Sequence, residues 1–480
     1  MQTATKREVD LDRVILNWSG DNHPFNNWSV RDSLTGTLVT GQPGTGKTSV
    51  VGRILASRLM DPRGLKPWEV PTLIVFLYKK EDSEFWYRLA YECGREQDLI
   101  VVSDTQQQGV FNLLRLYEGQ EAINAVNALN NISALSVNGA GKQGEAYWEV
   151  EKRKRLHRLI LLNQISGEPL NITTLYKLDV SAPNDYEQLS SDDFRKDSYC
   201  WKMLAKAADQ VGQHHPDFVL VENYFVREFP YLADRTSSSI KSLTSSILEP
   251  FLSSKMLNTL FCQDDGHLQL EELWQGKILL LEIPVQIHEF AGRVGQTMMK
   301  YVLQKKLESR SLEDYPNPCY LWIDEFHNYL APYDSNWLSV CRSSNASAFL
   351  FTQSIANLHA AIGGSDSRQS EARVNSLLSL VGTRIHLANS CFTTNEWASK
   401  AIGQKLRNMG SVSIGDNSSS ASSQKQLLGQ VFPQEFTQLA TGGPQSDWLV
   451  EAIISKSGTF STGANFYRTS FLQPFAPQRR

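Results

Sequence analysis

Gly41-Gln42-Pro43-Gly44-Thr45-Gly46-Lys47-Thr48 matches G-x-x-x-x-G-K-[ST] at every fixed position. The glycines let the backbone curl so that successive N–H groups point inward and cradle phosphate oxygens. In such a loop the lysine, here Lys47, reaches the β- and γ-phosphates. The hydroxyl of Thr48 would ligate Mg2+. Residues 36–40 read as a short buried strand entering the loop. From Ser49, residues 49–59 carry apolar side chains at helical spacing and read as the helix leaving it. Gly41 through Ser49 are therefore the candidate nucleotide-binding residues, with ATP and Mg2+ as the implied ligands.

Outward from the loop, the chain alternates strand and helix. Continuous apolar runs at 71–78, 98–102, 276–284, 319–325, 347–353 and 382–388 suit strands of a parallel sheet covered on both faces. Alternation of this kind predicts an α/β fold with a doubly wound, mostly parallel sheet. From 121 to 252 the pattern is helical and rich in charge, which predicts an inserted all-α subdomain. The expected organisation is a lead-in over 1–35, a nucleotide-binding domain over 36–120 and 253–455, the all-α insert over 121–252, and a tail over 456–480. The serine run at 411–423 reads as a flexible surface loop, and the last residues, 474–480, as frayed.

The 480 residues include 41% hydrophobic and 20% charged residues, which excludes wholesale disorder. A formal net charge of −4 does not advertise nucleic acid, but a motor needs only a locally basic channel. The six cysteines form no C-x-x-C pair, so a metal cluster or disulfide framework has little support. No apolar run approaches the roughly 20 residues that span a bilayer, and the first residues do not form a signal peptide. The expectation is a cytoplasmic protein.

A phosphate loop needs a second carboxylate at the end of another strand. Asp324 supplies one, placed to hold Mg2+ beside Thr48, and Glu325 is the candidate for activating the attacking water. Gln353 closes another apolar strand and would sense the γ-phosphate or position that water; the alternative is a turn cap. Arg342 is either a surface ion-pair residue or a group that stabilises the transferring phosphoryl from a neighbouring subunit. Lys152, Arg153, Lys154, Arg155 and Arg158 could contact nucleic-acid phosphates or form a solvated helix face. Phe85, Trp86 and Tyr87 could stack on bases, but fit a buried helix face better.

The order of these motifs resembles the HerA/FtsK group of DNA-translocating ATPases, and most of all the type IV secretion coupling proteins, TraG/TraD-like. The resemblance runs over about residues 35–455. It rests on Gly41–Thr48, Phe111-Asn112-Leu113-Leu114, Ile323-Asp324-Glu325-Phe326, Arg342-Ser343, Thr352-Gln353-Ser354 and the stretches 375–385 and 398–403. It implies a RecA-like core, an all-α domain at one end of a homo-hexameric ring, and ATP-driven movement of single- or double-stranded DNA. By position, Arg342 would act across the subunit interface and Gln353 would be the sensor. Relaxase or membrane-channel partners follow from the same resemblance. The chain departs from the family in lacking N-terminal transmembrane helices, so contact with the inner membrane would run through a partner. It also has Leu77-Tyr78-Lys79-Lys80-Glu81 where the family places an aspartate. Two other readings remain open: a HerA-like ATPase of DNA processing, packaging or defence, and a nucleotide-gated scaffold that recruits relaxase–DNA cargo.

Overall fold

The computed structural model describes residues 7–105, 111–136, 145–264, 268–363, 367–415 and 418–474. Among these, the strands in chain order are β1 (Val14–Asn17), β2 (Asn27–Ser29), β3 (Thr37–Thr40), β4 (Thr72–Phe76), β5 (Leu99–Ser103), β6 (Ile278–Glu282), β7 (Cys319–Ile323), β8 (Ala346–Thr352), β9 (Thr383–His386), β10 (Gln404–Gly415), β11 (Ser418–Gly429), β12 (Leu449–Lys456) and β13 (Phe466–Leu472). Nine of them form one sheet in the order β13-β12-β9-β3-β8-β7-β4-β6-β5. The strands from β9 to β5 are parallel, as the doubly wound reading requires. At the other edge β12 runs antiparallel to β9, and β13 to β12.

β3, β4, β7 and β8 are buried at every residue, which is why their apolar runs are continuous rather than alternating. Successive side chains still go to opposite faces. Leu38, Ile74, Leu321 and Leu350 join one core, with the helices Val285–Glu308 and Ser367–Ser379. Val39, Val75, Trp322 and Phe351 join the other, with the helices Arg53–Met60 and Asp82–Glu92. Trp86 is buried there at 5.3 Å from Trp322 and Phe85 packs against the same core, whereas Tyr87 is exposed.

Between β5 and β6 the described residues are mostly helical. Its longer helices are Ala122–Ser136, Glu145–Ile165, Ile172–Ser181, Tyr199–Val211 and Asp234–Ser253. Their starts follow from capping chemistry: the side chains of Asn171 and Ser198 each accept a first-turn backbone N–H. Of the basic run on Glu145–Ile165, Lys152 and Arg155 are buried and Arg153 is exposed. Arg155 is fully buried, donates to Asp179 Oδ1 at 2.5 Å, and lies 4.1 Å from the Phe229 ring centre. Lys152 pairs with Glu149 at 2.6 Å, Lys154 with Glu228, and Arg153 donates to Asn127 Oδ1 at 2.8 Å.

Two local expectations need correcting. The serine run does not form a loop: it lies in β10 and β11, which pair as a separate hairpin. Because its described side chains, 404–409 and 423–427, are exposed on both faces, its sequence needs no apolar–polar alternation there, the signal by which strands are read. Residues 416–417, and the side chains of 410–422, lie outside the described residues. Second, 466–472, assigned to a tail, forms the edge strand β13, with Phe471 buried against the core. Residues 475–480 lie outside the described residues. The lead-in packs on the body: β1 and β2 pair, and Trp28 is buried and donates to Thr383 Oγ1 at 3.2 Å.

Candidate nucleotide site

Parallel strands in register end on one edge. Thr40 of β3 pairs with Thr352 of β8, and Phe76 of β4 with Ile323 of β7. Ligands of open α/β sheets bind in the crevice outside these carboxyl ends. The loop after β3 opens there. Gly44 and Gly46 both have φ of 82°, in the left-handed region that glycine tolerates. The loop is fastened from its own side and from the exit of β9. Thr45 Oγ1 donates to Gln42 O at 2.8 Å, Gln42 N to Ala388 O at 3.1 Å, and Ser390 N to Gln42 Oε1 at 3.2 Å. The following helix begins as a π-helical turn, Lys47–Gly52, and continues as Arg53–Met60. Its first N–H groups and its dipole favour an anion at the loop.

Five polar side chains converge beneath the loop. Lys47 is 7% exposed, and its Nζ lies 3.5 Å from Glu325 Oε1. The same oxygen accepts a hydrogen bond from Gln353 Nε2 at 2.9 Å. Thr48 Oγ1 donates to Asp324 Oδ2 at 3.1 Å, and Glu325 N donates to Asp324 Oδ1 at 2.9 Å. Glu325 takes φ 48° and ψ 50°. That backbone costs a non-glycine residue on the order of 1 kcal/mol, and strain of this kind gathers at functional sites. Its second oxygen, Oε2, is buried and accepts no hydrogen bond; His327 Nδ1 lies 3.6 Å away. The segment after Glu325 is anchored from the core, where Lys300 Nζ donates to Tyr329 O at 2.5 Å and to Asp334 Oδ2 at 2.6 Å.

Burial raises the Asp324 carboxyl above the usual carboxylate range; Lys47 opposes that shift and Glu325 adds to it. Burial, with the charge of Asp324 second, pushes Asp82 up to about 6. Burial lowers His327, against the attraction of Glu325. The site therefore gathers three acids, Asp82, Asp324 and Glu325, with Lys47 and Lys79, an arrangement that a divalent cation would relieve.

Gln42, Pro43, Gly44, Gly46, Lys47, Thr48, Ser49, Asp324, Glu325 and Gln353 line one cavity of about 270 Å3. Gly41 and Thr45 do not line it. A Cβ on Gly41 would sit 2.7 Å from Thr45 Oγ1, so these two residues hold the loop's shape. Arg342 is not brought to the cavity. It is exposed in the turn Cys341–Ser344 before β8, while Gln353 follows that strand. Seven strand residues, roughly 23 Å, separate the two ends.

Sequence reasoning missed Asp82, which lines the cavity together with Tyr78, Lys79 and Gln473. Asp82 stands five residues beyond Leu77, the first residue of the turn after β4 that lacks the expected aspartate. Asn389 was missed too. Its Nδ2 donates to Gln353 O at 2.8 Å, and its own carbonyl accepts Asn395 Nδ2 at 2.7 Å. Its position just past β9, next to β3, was the available signal.

Fold and loop together define a P-loop protein with a RecA-like, doubly wound sheet and an all-α insertion. Residues 318–439 match the family model described as the TraM recognition site of TraD and TraG. Among solved structures, the chain is similar to the bacterial conjugative coupling protein TrwBΔN70 in an unbound form. The TM-score is 0.63 at 16% identity, covering 99% of this chain and 92% of that one. It is similar to the plasmid coupling protein TrwB in complex with the non-hydrolysable GTP analogue GDPNP (TM-score 0.63, 15% identity, 99% and 92% covered). It is also similar to TrwB in complex with ADP and Mg2+ (TM-score 0.62, 15% identity, 95% and 88% covered). No curated protein matches the sequence. The resemblance to TraG/TraD-like coupling proteins thus stands, by family model over 318–439 and by fold over nearly the whole chain. Among the described residues no helix is long and apolar enough to cross a membrane.

Proposed function

We propose that this chain is the ATP-hydrolysing motor of a conjugative, type IV secretion-like DNA transfer system, working as a homo-hexameric ring around DNA. The observation that carries the reading is the convergence of Lys47, Thr48, Asp324, Glu325 and Gln353 at one carboxyl edge of the sheet. The TraD/TraG match over 318–439 and the nucleotide complexes of TrwB support it. In this reading 121–252 is an all-α domain at one end of the ring, and the relaxosome side supplies a protein partner.

The residues present fit Mg2+. Thr48 and Asp324 offer one hydroxyl and one carboxylate side by side, and phosphate oxygens complete the hard-oxygen set this ion takes. When bound, Mg2+ would supply positive charge that offsets charge developing on the transferring phosphoryl group. The chain's own residues do the rest. Loop N–H groups hold the phosphates. Lys47 exchanges Glu325 for the γ-phosphate, and Gln353 keeps Glu325 Oε1 in place. Glu325 Oε2, with no hydrogen bond of its own, takes the proton from a water that attacks the γ-phosphorus while the bond to the β-phosphate oxygen breaks. Arg342, exposed and without an ion pair among the described residues, reaches the neighbouring subunit's γ-phosphate.

Steady-state ATP hydrolysis with and without DNA tests this. The wild type is expected to hydrolyse faster with DNA, and Lys47→Ala to lose turnover in both conditions. Intact hydrolysis in Lys47→Ala overturns the site.

A further inference from the structure

Between Gly403 and Gln430 the chain leaves the body and comes back. Gln430 N donates to Gly403 O at 3.0 Å, so the two ends meet. Between them β10 and β11 pair over twelve residues each, Gln404 opposite Gly429 through Gly415 opposite Ser418. The result is a two-stranded ribbon about 40 Å long, forming a sheet of its own. Its described side chains, 404–409 and 423–427, are exposed on both faces; an isolated two-stranded hairpin is marginal in water, so a ribbon this long is built for a partner.

The ribbon's chemistry selects that partner. Lys405, Arg407 and Lys425 are exposed, and none has an ion pair or side-chain hydrogen bond among the described residues. Residues 404–429 contain one acid, Asp416. The register sets Lys405 and Arg407 on one face, Arg407 opposite Gln426, and Lys425 on the other face opposite Asn408. Cations on both faces suit a ribbon flanked by phosphates on both sides. A two-stranded ribbon fits the major groove of B-DNA, which is about 12 Å wide, and amide side chains read base edges there. A single strand would instead call for aromatic stacking platforms, and 404–429 contains no Phe, Tyr, Trp or His. Leu406 and Leu427 oppose each other at the base and form a cross-strand apolar pair that holds the ribbon there.

We propose that the β10–β11 ribbon is a duplex-DNA contact that enters the major groove and grips the flanking phosphates. This rests on the reading of the chain as a DNA motor and adds the form of DNA it engages.

The test compares three full-length proteins: wild type, the triple variant Lys405→Ser/Arg407→Ser/Lys425→Ser, and a variant with 404–429 replaced by Asn-Gly. The last joins ends that are already hydrogen-bonded and so spares the body. Binding of a fluorescent duplex and of a single strand of equal length is measured over a salt series, alongside DNA-free ATP hydrolysis. Both variants are expected to bind duplex about tenfold or more weakly, with single-strand binding and DNA-free hydrolysis unchanged. Each phosphate contact contributes about −0.9 to the slope of log K against log salt, so the triple variant's slope flattens by about 2.7. Unchanged duplex affinity in both variants overturns the proposal. So does a loss confined to the single strand. Loss of self-association with duplex affinity intact also overturns it, and makes the ribbon a contact between copies. A wild type that hydrolyses ATP but binds no DNA overturns the motor reading and this proposal together.

Discussion

Two stretches of this chain gather Lys and Arg, and folding treats them in opposite ways. On Glu145–Ile165, five cations fall within seven residues, yet Lys152, Arg153, Lys154 and Arg155 are all taken up by Glu149, Asn127, Glu228 and Asp179. On β10 and β11 only three are described, spaced along two strands, and none is paired. Charge density in the sequence ranks the first stretch higher. What separates them is whether acids arrive from elsewhere in the fold: Asp179 comes from Ile172–Ser181 and Glu228 from the π-helical segment Asn223–Glu228. Lys47 stands between the two cases. It is buried and faces Glu325 at 3.5 Å, a contact loose enough to be exchanged for a phosphate.

The largest effect should come from an unpaired cation. Among the described residues Arg342 has no ion pair, so Arg342→Ala is expected to leave folding and nucleotide affinity unchanged. Turnover should fall about 10³-fold or more, the scale of a charge-stabilising arginine at a phosphoryl group. Hydrolysis assays and nucleotide titrations on the same preparation separate the two. Full turnover in Arg342→Ala would place this arginine among the ordinary surface cations.

Arg155 should show the reverse. Removing one partner of a buried pair leaves the other charge uncompensated, at a cost of about 3–5 kcal/mol. Arg155→Ala is therefore expected to lower unfolding free energy by that amount in urea titrations. DNA affinity per folded molecule should not change. A drop in DNA affinity at full stability would mean that this helix binds DNA after all.

The nucleotide side of the molecule was legible in the sequence because fixed spacing carries it. Gly41–Thr48, Asp324 and Glu325 are set by backbone geometry at strand ends, and apolar runs such as 71–78 and 347–353 mark strands buried on both faces. The ribbon was not legible. Its strands pair with each other alone and their described side chains, 404–409 and 423–427, are exposed, so no buried face imposes alternation there, and serine-rich sequence reads as loop. Edge strand β13 was missed because its burial pattern is mostly intermediate or exposed, with Phe471 the one fully buried residue. Asp82 and Asn389 carry no motif, and only the fold brings them to the cleft.

A buried base can also be accommodated without a counter-charge. His386 is fully buried beside Thr40 Oγ1 at 2.7 Å, packed against Phe436 and Trp397. Burial first, and Arg384 second, push it down to about 3. A depressed histidine stabilises the fold above its unfolded pKa, near 6.5, and that contribution is lost as pH falls toward 3. Between pH 6.5 and 4 this single residue should account for roughly 3 kcal/mol of lost stability. His386→Gln is expected to unfold more easily at pH 7 but with a visibly shallower acid dependence. Parallel curves for the two proteins would show that the imidazole is charged in the native state.

The smallest effect sharpens the contrast most, because it sets two surface lysines against each other. Lys154 pairs with Glu228 at a partly exposed site and lies over the Tyr224 ring at 5.6 Å. Exposed pairs contribute about 0.2–1 kcal/mol, so Lys154→Ala should cost less than about 1 kcal/mol of stability and leave the salt slope of DNA binding where it was. Lys405→Ala should do the opposite: no change in stability, and a slope flatter by about 0.9. Both lysines add the same charge to the same net balance. If the two variants shift the slope equally, long-range charge rather than pairing decides where DNA binds, and the distinction between the helix and the ribbon collapses.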